Sequence, residues 1–520
     1  MTTTNRLTMK TAVIIGGGPG GLFTGALLTK EGYRVTVLDK NSAFGGGLQT
    51  FNRFGVKFET GMHVVGGMQP GGNLRRICQY LDIWDEVESQ LAPVDDKCTD
   101  RLYFAEDKAL FELAKGREGF IDSLSSHFPA EREGLGHYVE SIYGLTSRID
   151  LFNLRPSSSR LTLFAESGEM LLSADRFIAQ YVKDQRLRSV LAYMNPLYGG
   201  RGGVTPAYIH AIISTLYIDG SYRFIGGSDR FAEALAEVIR KGGGEVIANA
   251  DVDWVETEER HVEHVSTRQG GQYKADWYIS AVHPCTLLDM MPPTAFPKSY
   301  HNRIANIPNA YSAFSLYIKL KPKTFPYMNF SEYYMTRYDE IWNFDRVDRG
   351  WPLGFFFMTP PPTQPSVYGD RALLIAPMPY GLASRWERTT VGHRGDEYEA
   401  WKKELTERLL HQMEEMHPGF NSCIEAVCAS SPLTIRDYYR VKEGSICGFS
   451  KDCNNIMMSQ LPVGTKVDNL LLTGQNNNLH GLFGVALTAI RTAEAIVGTN
   501  HIVNKINLQS TKLDSSLRSE

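Results

Sequence analysis

The sequence predicts an α/β protein built around a dinucleotide-binding strand–turn–helix unit, and three observations carry that prediction. An apolar run at Thr11-Ala12-Val13-Ile14-Ile15 has the character of a buried parallel strand. It leads directly into Gly16-Gly17-Gly18-Pro19-Gly20-Gly21, and Asp39 closes a second apolar run, Val35-Thr36-Val37-Leu38.

The glycines at 16, 18 and 21 fit the G-x-G-x-x-G pattern. In that pattern the first makes the tight turn, the second admits a pyrophosphate to the backbone, and the third lets helix and strand approach. A helix from about Pro19 to Lys30 would aim its N-terminal amides at the phosphates. Asp39 follows the glycines by about 20 residues, where a carboxylate can hold a ribose hydroxyl. A glycine-rich structural turn is the plainer alternative, but strand, turn, helix and acid fall in register.

Composition narrows the class. The 520 residues supply material for two to four domains' worth of packing. With 42% hydrophobic and 22% charged residues the chain reads as an ordinary globular protein. A net charge of -4 gives no electrostatic case for nucleic acid. Seven scattered cysteines without C-x-x-C spacing read as reduced thiols of a cytoplasmic protein, and no metal site is expected. Thr11 to Thr29 is uncharged, but glycine and proline at 16–21 break any signal helix; Asn469 to Ile490 is interrupted by Gln475, three asparagines and His480. Neither stretch reads as a membrane span, and peripheral contact with one membrane face is left open.

Along the chain, Phe44 to Thr50 forms a second glycine-rich loop, and Phe58 to Gly66 reads as a short strand and turn. Residues 76–214 read mostly helical, with Leu135, Tyr138, Val139, Ile142 and Tyr143 at helical spacing after Phe128-Pro129. Leu161, Leu163, Phe164, Met170, Leu171 and Leu172 make an apolar stretch, either a core helix or a membrane-facing access patch. A helix bearing Phe231, Leu235, Val238 and Ile239 ends at Gly242-Gly243-Gly244. Strands follow within 246–255, then a hairpin around Gly270-Gly271 and an apolar strand at Tyr278–Val282. Residues 291–455 are β-rich and aromatic, with strands at Tyr311–Leu320, Phe355–Phe357 and Ala372–Ile375 and a helix at Trp401–Met413. The last unit is a strand at Leu470–Thr473, a turn at Gly474-Gln475 and a helix from about Gly484 to Val497; beyond 505 the polar tail is expected to fray.

The G-G-G-P-G-G-L run, the D-K-N-S-A-F-G-G-G run and the final T-G-Q-N-N-N-L-H-G-L-F-G-V together resemble an FAD-dependent superfamily. It includes amine oxidases, phytoene desaturases, carotenoid isomerases and retinol saturases. Gly61-Met62-His63-Val64-Val65-Gly66 and Thr473-Gly474-Gln475 look most like its retinol saturase and carotenoid desaturase/isomerase branch. The resemblance covers roughly 1–70, 220–285 and 465–500 and thins between them. It implies a Rossmann-like FAD-binding domain assembled from discontinuous segments (1–75, 215–290 and 456–505), an inserted α+β substrate domain (76–214 and 291–455) and a tail at 506–520.

Carried over position by position, the resemblance places Gly16, Gly18, Gly20 and Gly21 at the FAD pyrophosphate, and Asp39 with Lys40 at the adenosine ribose. Asp39 stands where the family more often has Glu. Gly46, Gly47 and Leu48 look like the flavin-side loop, and Val252 resembles the residue whose backbone touches adenine. Gly474 and Gln475 match a Gly-Asp pair against the ribityl chain or phosphates, while Leu482, Phe483 and Gly484 bring a second helix N-terminus towards the flavin. His63 and His480 are the candidate acid/base groups, each with a structural or substrate-packing role as the alternative.

The implied activity is FAD-dependent redox chemistry on a carbon–carbon bond of a hydrophobic polyene or isoprenoid: desaturation, saturation or isomerisation. The 25 Phe and 25 Tyr make an apolar lining available. No second well-formed G-x-G-x-x-G argues for a separate NAD(P)H domain, so the electron partner is open between a protein, a quinone, oxygen and a transient nicotinamide. An amine oxidase, a steroid dehydrogenase and, outside enzymes, a prenyl-binding carrier like the Rab GDP-dissociation inhibitors are the rival readings.

Overall fold

A computed structural model describes residues 9–157 and 168–517. Its organising element is a five-stranded, wholly parallel sheet in the order Glu245–Ile247, Arg34–Leu38, Thr11–Ile15, Trp277–Ser280, Leu470–Leu472. Its strands come from the beginning, middle and end of the chain, so this is the Rossmann-like domain assembled from discontinuous segments. The central strand is buried on both faces, as an apolar run between two helical layers must be. Helix Pro19–Lys30 returns across the sheet and packs on the final long helix, Gly481–Val497. The two ends of the chain also meet through Thr24 Oγ1 and Thr473 Oγ1, 2.9 Å apart and buried.

Inserted between these segments is a seven-stranded sheet in the order Ile424–Ser430, Ser312–Leu320, Arg371–Met378, Gly354–Met358, Ser331–Met335, Asp100–Phe104, Ala109–Leu113. It is antiparallel except where Ser331–Met335 and Asp100–Phe104 run parallel. Helix Asp396–Met416 covers one face through Leu405, Leu409 and Met413. Helices at Arg132–Ser147 and Ala207–Ile218 pack together on the side nearer the parallel sheet.

Several local expectations change. Residues 76–214 are mainly helical but also carry three strands, Leu91–Pro93, Asp100–Phe104 and Ala109–Leu113. The partner of Asp100–Phe104 lies at Ser331–Met335, so no local pattern announces the pairing. The last buried helix begins at Gly481 rather than Gly484, with His480 extended as its N-cap. Beyond 505 the chain continues as helix His501–Leu517 instead of fraying. Arg76 explains this, bonding the Asn507 side chain and Ser510, while Glu31 pairs with Lys505. Leu161, Leu163 and Phe164 lie outside the described residues; Met170, from the same apolar stretch, is buried.

The seven cysteines are free. Among the described residues no single helix is long and apolar enough to cross a membrane. Gly481–Val497 and His501–Lys512 reach that length only as a pair bent by 116°.

Candidate active site

One cleft, about 420 Å³ in volume, runs from the glycine-rich turn into the space beneath the seven-stranded sheet. That lies within the roughly 300–1,000 Å³ of a ligand pocket.

The cofactor end follows from backbone geometry. Gly16 has φ +103°, which fits the sharp turn off the strand, and its amide donates to the Leu38 carbonyl at 2.8 Å. A Cβ on Gly21 would lie 2.0 Å from the Gly16 carbonyl oxygen, so only glycine lets the helix sit this close to the turn. A Cβ on Gly20 would come within 2.8 Å of Gly474 Cα, which brings the first and last cofactor segments together. A Cβ on Gly47 would meet nothing within 4 Å, and Gly47 lines the cleft: open space remains where a cofactor passes.

Asp39 serves the turn as well as the cleft. Its Oδ2 accepts from the Gly17 amide and its Oδ1 from the Asn41 amide, each at 2.9 Å. Burial raises its pKa, against the pull of those two hydrogen bonds. Beside it, the Lys40 pKa is lowered, first by burial and then by Arg440. Lys40 Nζ donates to the Asp437 carbonyl at 2.7 Å and Asn41 to the Tyr438 carbonyl at 3.3 Å. The end of helix Pro432–Tyr439 is thereby tied to the adenosine side, where cations suit a helix C-terminus. Arg440 completes the tie through its ion pair with Asp251 at 2.7 Å.

The other half of the cleft is apolar and aromatic, with Ile213, Tyr217, Tyr317, Tyr333, Phe356 and Ile375 on its walls. Among the described residues, Asp39 and Lys40, both at the end near the glycine-rich turn, are the only Asp, Glu, Lys or Arg side chains lining the cleft. A smaller chamber of about 60 Å³ shares Met62, Ile213, Tyr217 and His480 with it and adds Ile209, Leu216 and Phe483.

Three histidines line the cleft, and their partners differ. His63 Nδ1 lies 3.1 Å from Glu59 Oε2, with both side chains buried. His283 is used up structurally: Nδ1 accepts from the Cys285 amide at 3.2 Å and Nε2 faces Asn309 Oδ1 at 3.0 Å. His480 is buried with Nε2 unpaired. Burial, and then the nearby Lys451, push its pKa down to about 4, so it is neutral at pH 7. Burial also pushes Lys451 down to about 7.

His480 carries a pH prediction. Its folded pKa lies below its unfolded value of 6.5, so its share of stability is complete above about pH 6.5 and is lost as pH falls through about 4. By pH 4 about 3 kcal/mol of that share has been lost. His480→Gln should lose less stability than the wild type between pH 6.5 and 4 in parallel melts, and identical acid slopes would contradict the assignment.

Among the residues singled out from sequence, Gly16, Gly18, Gly20, Asp39, Lys40, Gly46, Gly47, His63, Gly474, Gln475, His480 and Leu482 line the cleft. Phe483 and Gly484 line the smaller chamber instead. Three stand behind the walls. Gly21 packs helix on turn, Leu48 is fully buried with its carbonyl accepting from Ser228 Oγ, and Val252 is buried with its carbonyl 3.5 Å from Arg440 Nη1. Sequence reasoning missed Glu59, helix Pro432–Tyr439 and the tyrosines from the seven-stranded sheet; only the aromatic texture of 291–455 hinted at the last.

The fold and this cradle define a flavin-dependent oxidoreductase, and the bare glycine turn with open space before Gly47 fits FAD. The chain belongs to the family of flavin containing amine oxidoreductases, whose model matches residues 19–497. It is 25% identical over 535 residues to the human all-trans-retinol 13,14-reductase, covering 96% of this chain and 87% of the reductase. It is 22% identical over 502 residues to the chloroplastic prolycopene isomerase of Arabidopsis thaliana, covering 93% and 82%. Among solved structures, an oxidoreductase from Methanosarcina mazei superimposes with a TM-score of 0.60 at 17% identity, over 93% of this chain and 100% of that one.

Proposed function

We propose that the protein uses FAD to reduce, oxidise or isomerise a carbon–carbon bond of a hydrophobic polyene or isoprenoid. The observation that carries this reading is the substrate half of the cleft, walled by apolar and tyrosine side chains with no carboxylate, lysine or arginine. Such a wall stabilises a neutral chain and would strand the charge of an ammonium or carboxylate. An amine substrate therefore finds no counter-ion there, although the family is named for amines. The named activities of the human reductase and the plant isomerase, both on conjugated chains, support the same class.

Bound FAD supplies hydride or electron exchange at its isoalloxazine ring. The chain's own residues hold and orient. Gly16, Gly18 and Gly20 leave room for the pyrophosphate, and Asp39 and Lys40 hold the adenosine side. Tyr217, Tyr317 and Phe356 exclude water from the reacting chain. His63 and His480 are the side chains able to exchange a proton with it. A lipid-soluble substrate also suits peripheral approach to a membrane surface.

The test is anaerobic mixing of oxidised and reduced holoprotein with carotenoid, retinoid, steroid and amine compounds. Bleaching or recovery of the flavin band with a polyene, and none with amines, is the expected result. A response to amines or steroids alone would overturn the reading, and so would a purified protein that releases no flavin on denaturation.

A further inference from the structure

We propose that Glu59 is the positioning residue of this site: it fixes the tautomer of His63, so that His63 Nε2 is the atom exchanging a proton with the substrate. The proposal rests on the polyene reading above and selects one histidine from the three at the cleft.

The selection comes from what stands behind each ring. His283 has both nitrogens committed to the Cys285 amide and Asn309. His480 has no carboxylate partner, and its buried surroundings hold it neutral. His63 alone of the three is backed by a carboxylate, at the end of strand Val56–Glu59. An ionised carboxylate only accepts, so the hydrogen of that bond sits on His63 Nδ1. Nε2 is left for whatever fills the cleft that His63 lines.

The surrounding charges strengthen the pairing. Glu59 Oε1 is buried with no hydrogen-bond partner among the described residues. A buried carboxylate with one bond needs a positive neighbour to offset its desolvation. The nearby fixed cation, Arg223, is fully buried and attracts Glu59, but its Nη atoms donate to the Met328 and Thr359 carbonyls and Ser331 Oγ, and among the described residues its Nε makes no hydrogen bond and none joins it to Glu59. It also faces Asp100. His63 is the group hydrogen-bonded to Glu59, as an orienting carboxylate stands behind a general acid/base imidazole.

In the reducing direction bound reduced flavin would supply a hydride, with its electron pair, to one alkene carbon and would itself be oxidised. The π electrons form the second C–H bond with the proton of His63 Nε2–H, whose bonding pair stays on nitrogen. Solvent then restores that proton, while Nδ1–H remains on Glu59 throughout. Desaturation moves the same atoms in reverse.

Two measurements test this. In holoprotein with ¹⁵N-labelled histidine, His63 is assigned by the loss of its signals in His63→Gln. It should show Nδ1 protonated at pH 8, and Glu59→Gln should replace that state by a tautomer mixture. A neutral ring with its hydrogen on Nε2 and none on Nδ1, or spectra unchanged by Glu59→Gln, overturns the proposal. In the second, dithionite-reduced holoprotein is mixed anaerobically with all-trans-retinol or lycopene. Glu59→Gln should lower kcat about 100-fold with little change in KM while FAD stays bound. Added to His63→Gln, it should cost nothing further. Wild-type rates in Glu59→Gln, or full additivity in the double variant, would overturn the proposal. If the wild type consumes neither compound the polyene reading fails, and the tautomer measurement alone decides the role of Glu59.

Discussion

Gly21→Ala is expected to give a colourless or weakly coloured protein, with FAD affinity reduced by about 100-fold or more. The added methyl would lie 2.0 Å from the Gly16 carbonyl oxygen and 3.2 Å from its carbon. Neither atom is the end of a flexible side chain, so the helix from Pro19 must lift off the turn that holds the pyrophosphate. Overpacking a tight interior costs about 1–3 kcal/mol, and a rigid backbone clash falls at the upper end or beyond. At 1.4 kcal/mol per decade, about 3 kcal/mol converts to the stated loss. Gly20→Ala should resemble it from the other side, by pushing Gly474 and the final segment away. Since segments remote in sequence line the cleft, losing FAD should also lower the melting temperature of the whole chain. The control is Gly136→Ala in helix Arg132–Ser147, where the new methyl meets nothing within 4 Å and should stabilise by about 0.5–1 kcal/mol. Fluorimetric titration of released FAD reads the effect, and wild-type affinity in Gly21→Ala would refute the account of the turn.

Arg223→Met is expected to destabilise the holoprotein by about 3–5 kcal/mol, or to leave it insoluble. Arg223 is fully buried on strand Ser221–Phe224, beside the cofactor segments. It donates to the Met328 carbonyl at 2.7 Å, the Thr359 carbonyl at 3.2 Å and Ser331 Oγ at 3.3 Å, all in the inserted sheet or its borders. Its removal orphans these acceptors and leaves Asp100 buried without its cation. Burial already raises the Asp100 carboxyl to about 6, even with Tyr193 donating to it at 3.1 Å. Asp100→Asn should therefore recover part of the loss in the Arg223→Met background, because the stranded charge goes with it. Chemical denaturation of both variants measures this; an Arg223→Met protein within about 1 kcal/mol of wild type would show that the guanidinium does not tie the two domains together.

The cofactor end was legible because its constraints are local. Gly16, Gly18 and Gly21 are demanded by a turn and a close approach within six residues, and Asp39 by the strand that follows. The substrate end was not legible. Tyr217 reaches the wall from a helix and Tyr333 and Phe356 from two strands more than a hundred residues further along, and an aromatic residue in isolation looks like core. Glu59 stood in plain view four residues before His63, yet spacing says nothing about whether two side chains in a strand and loop turn towards each other. The C-terminal helix was misjudged for a related reason: its polar residues find Arg76 and Glu31, partners that a reading of the tail alone cannot supply.

By itself, then, the order of residues determined the α/β class, the nucleotide cradle and the flavin chemistry, because short-range steric rules write themselves into glycines and one acid at fixed spacing. Tertiary structure alone decided which walls face the substrate, which of three histidines is backed by a carboxylate, and how Arg223 ties strand Ser221–Phe224 to the seven-stranded sheet and its borders. Those depend on contacts between segments whose meeting is set by the packing of the whole chain, and no local pattern encodes them.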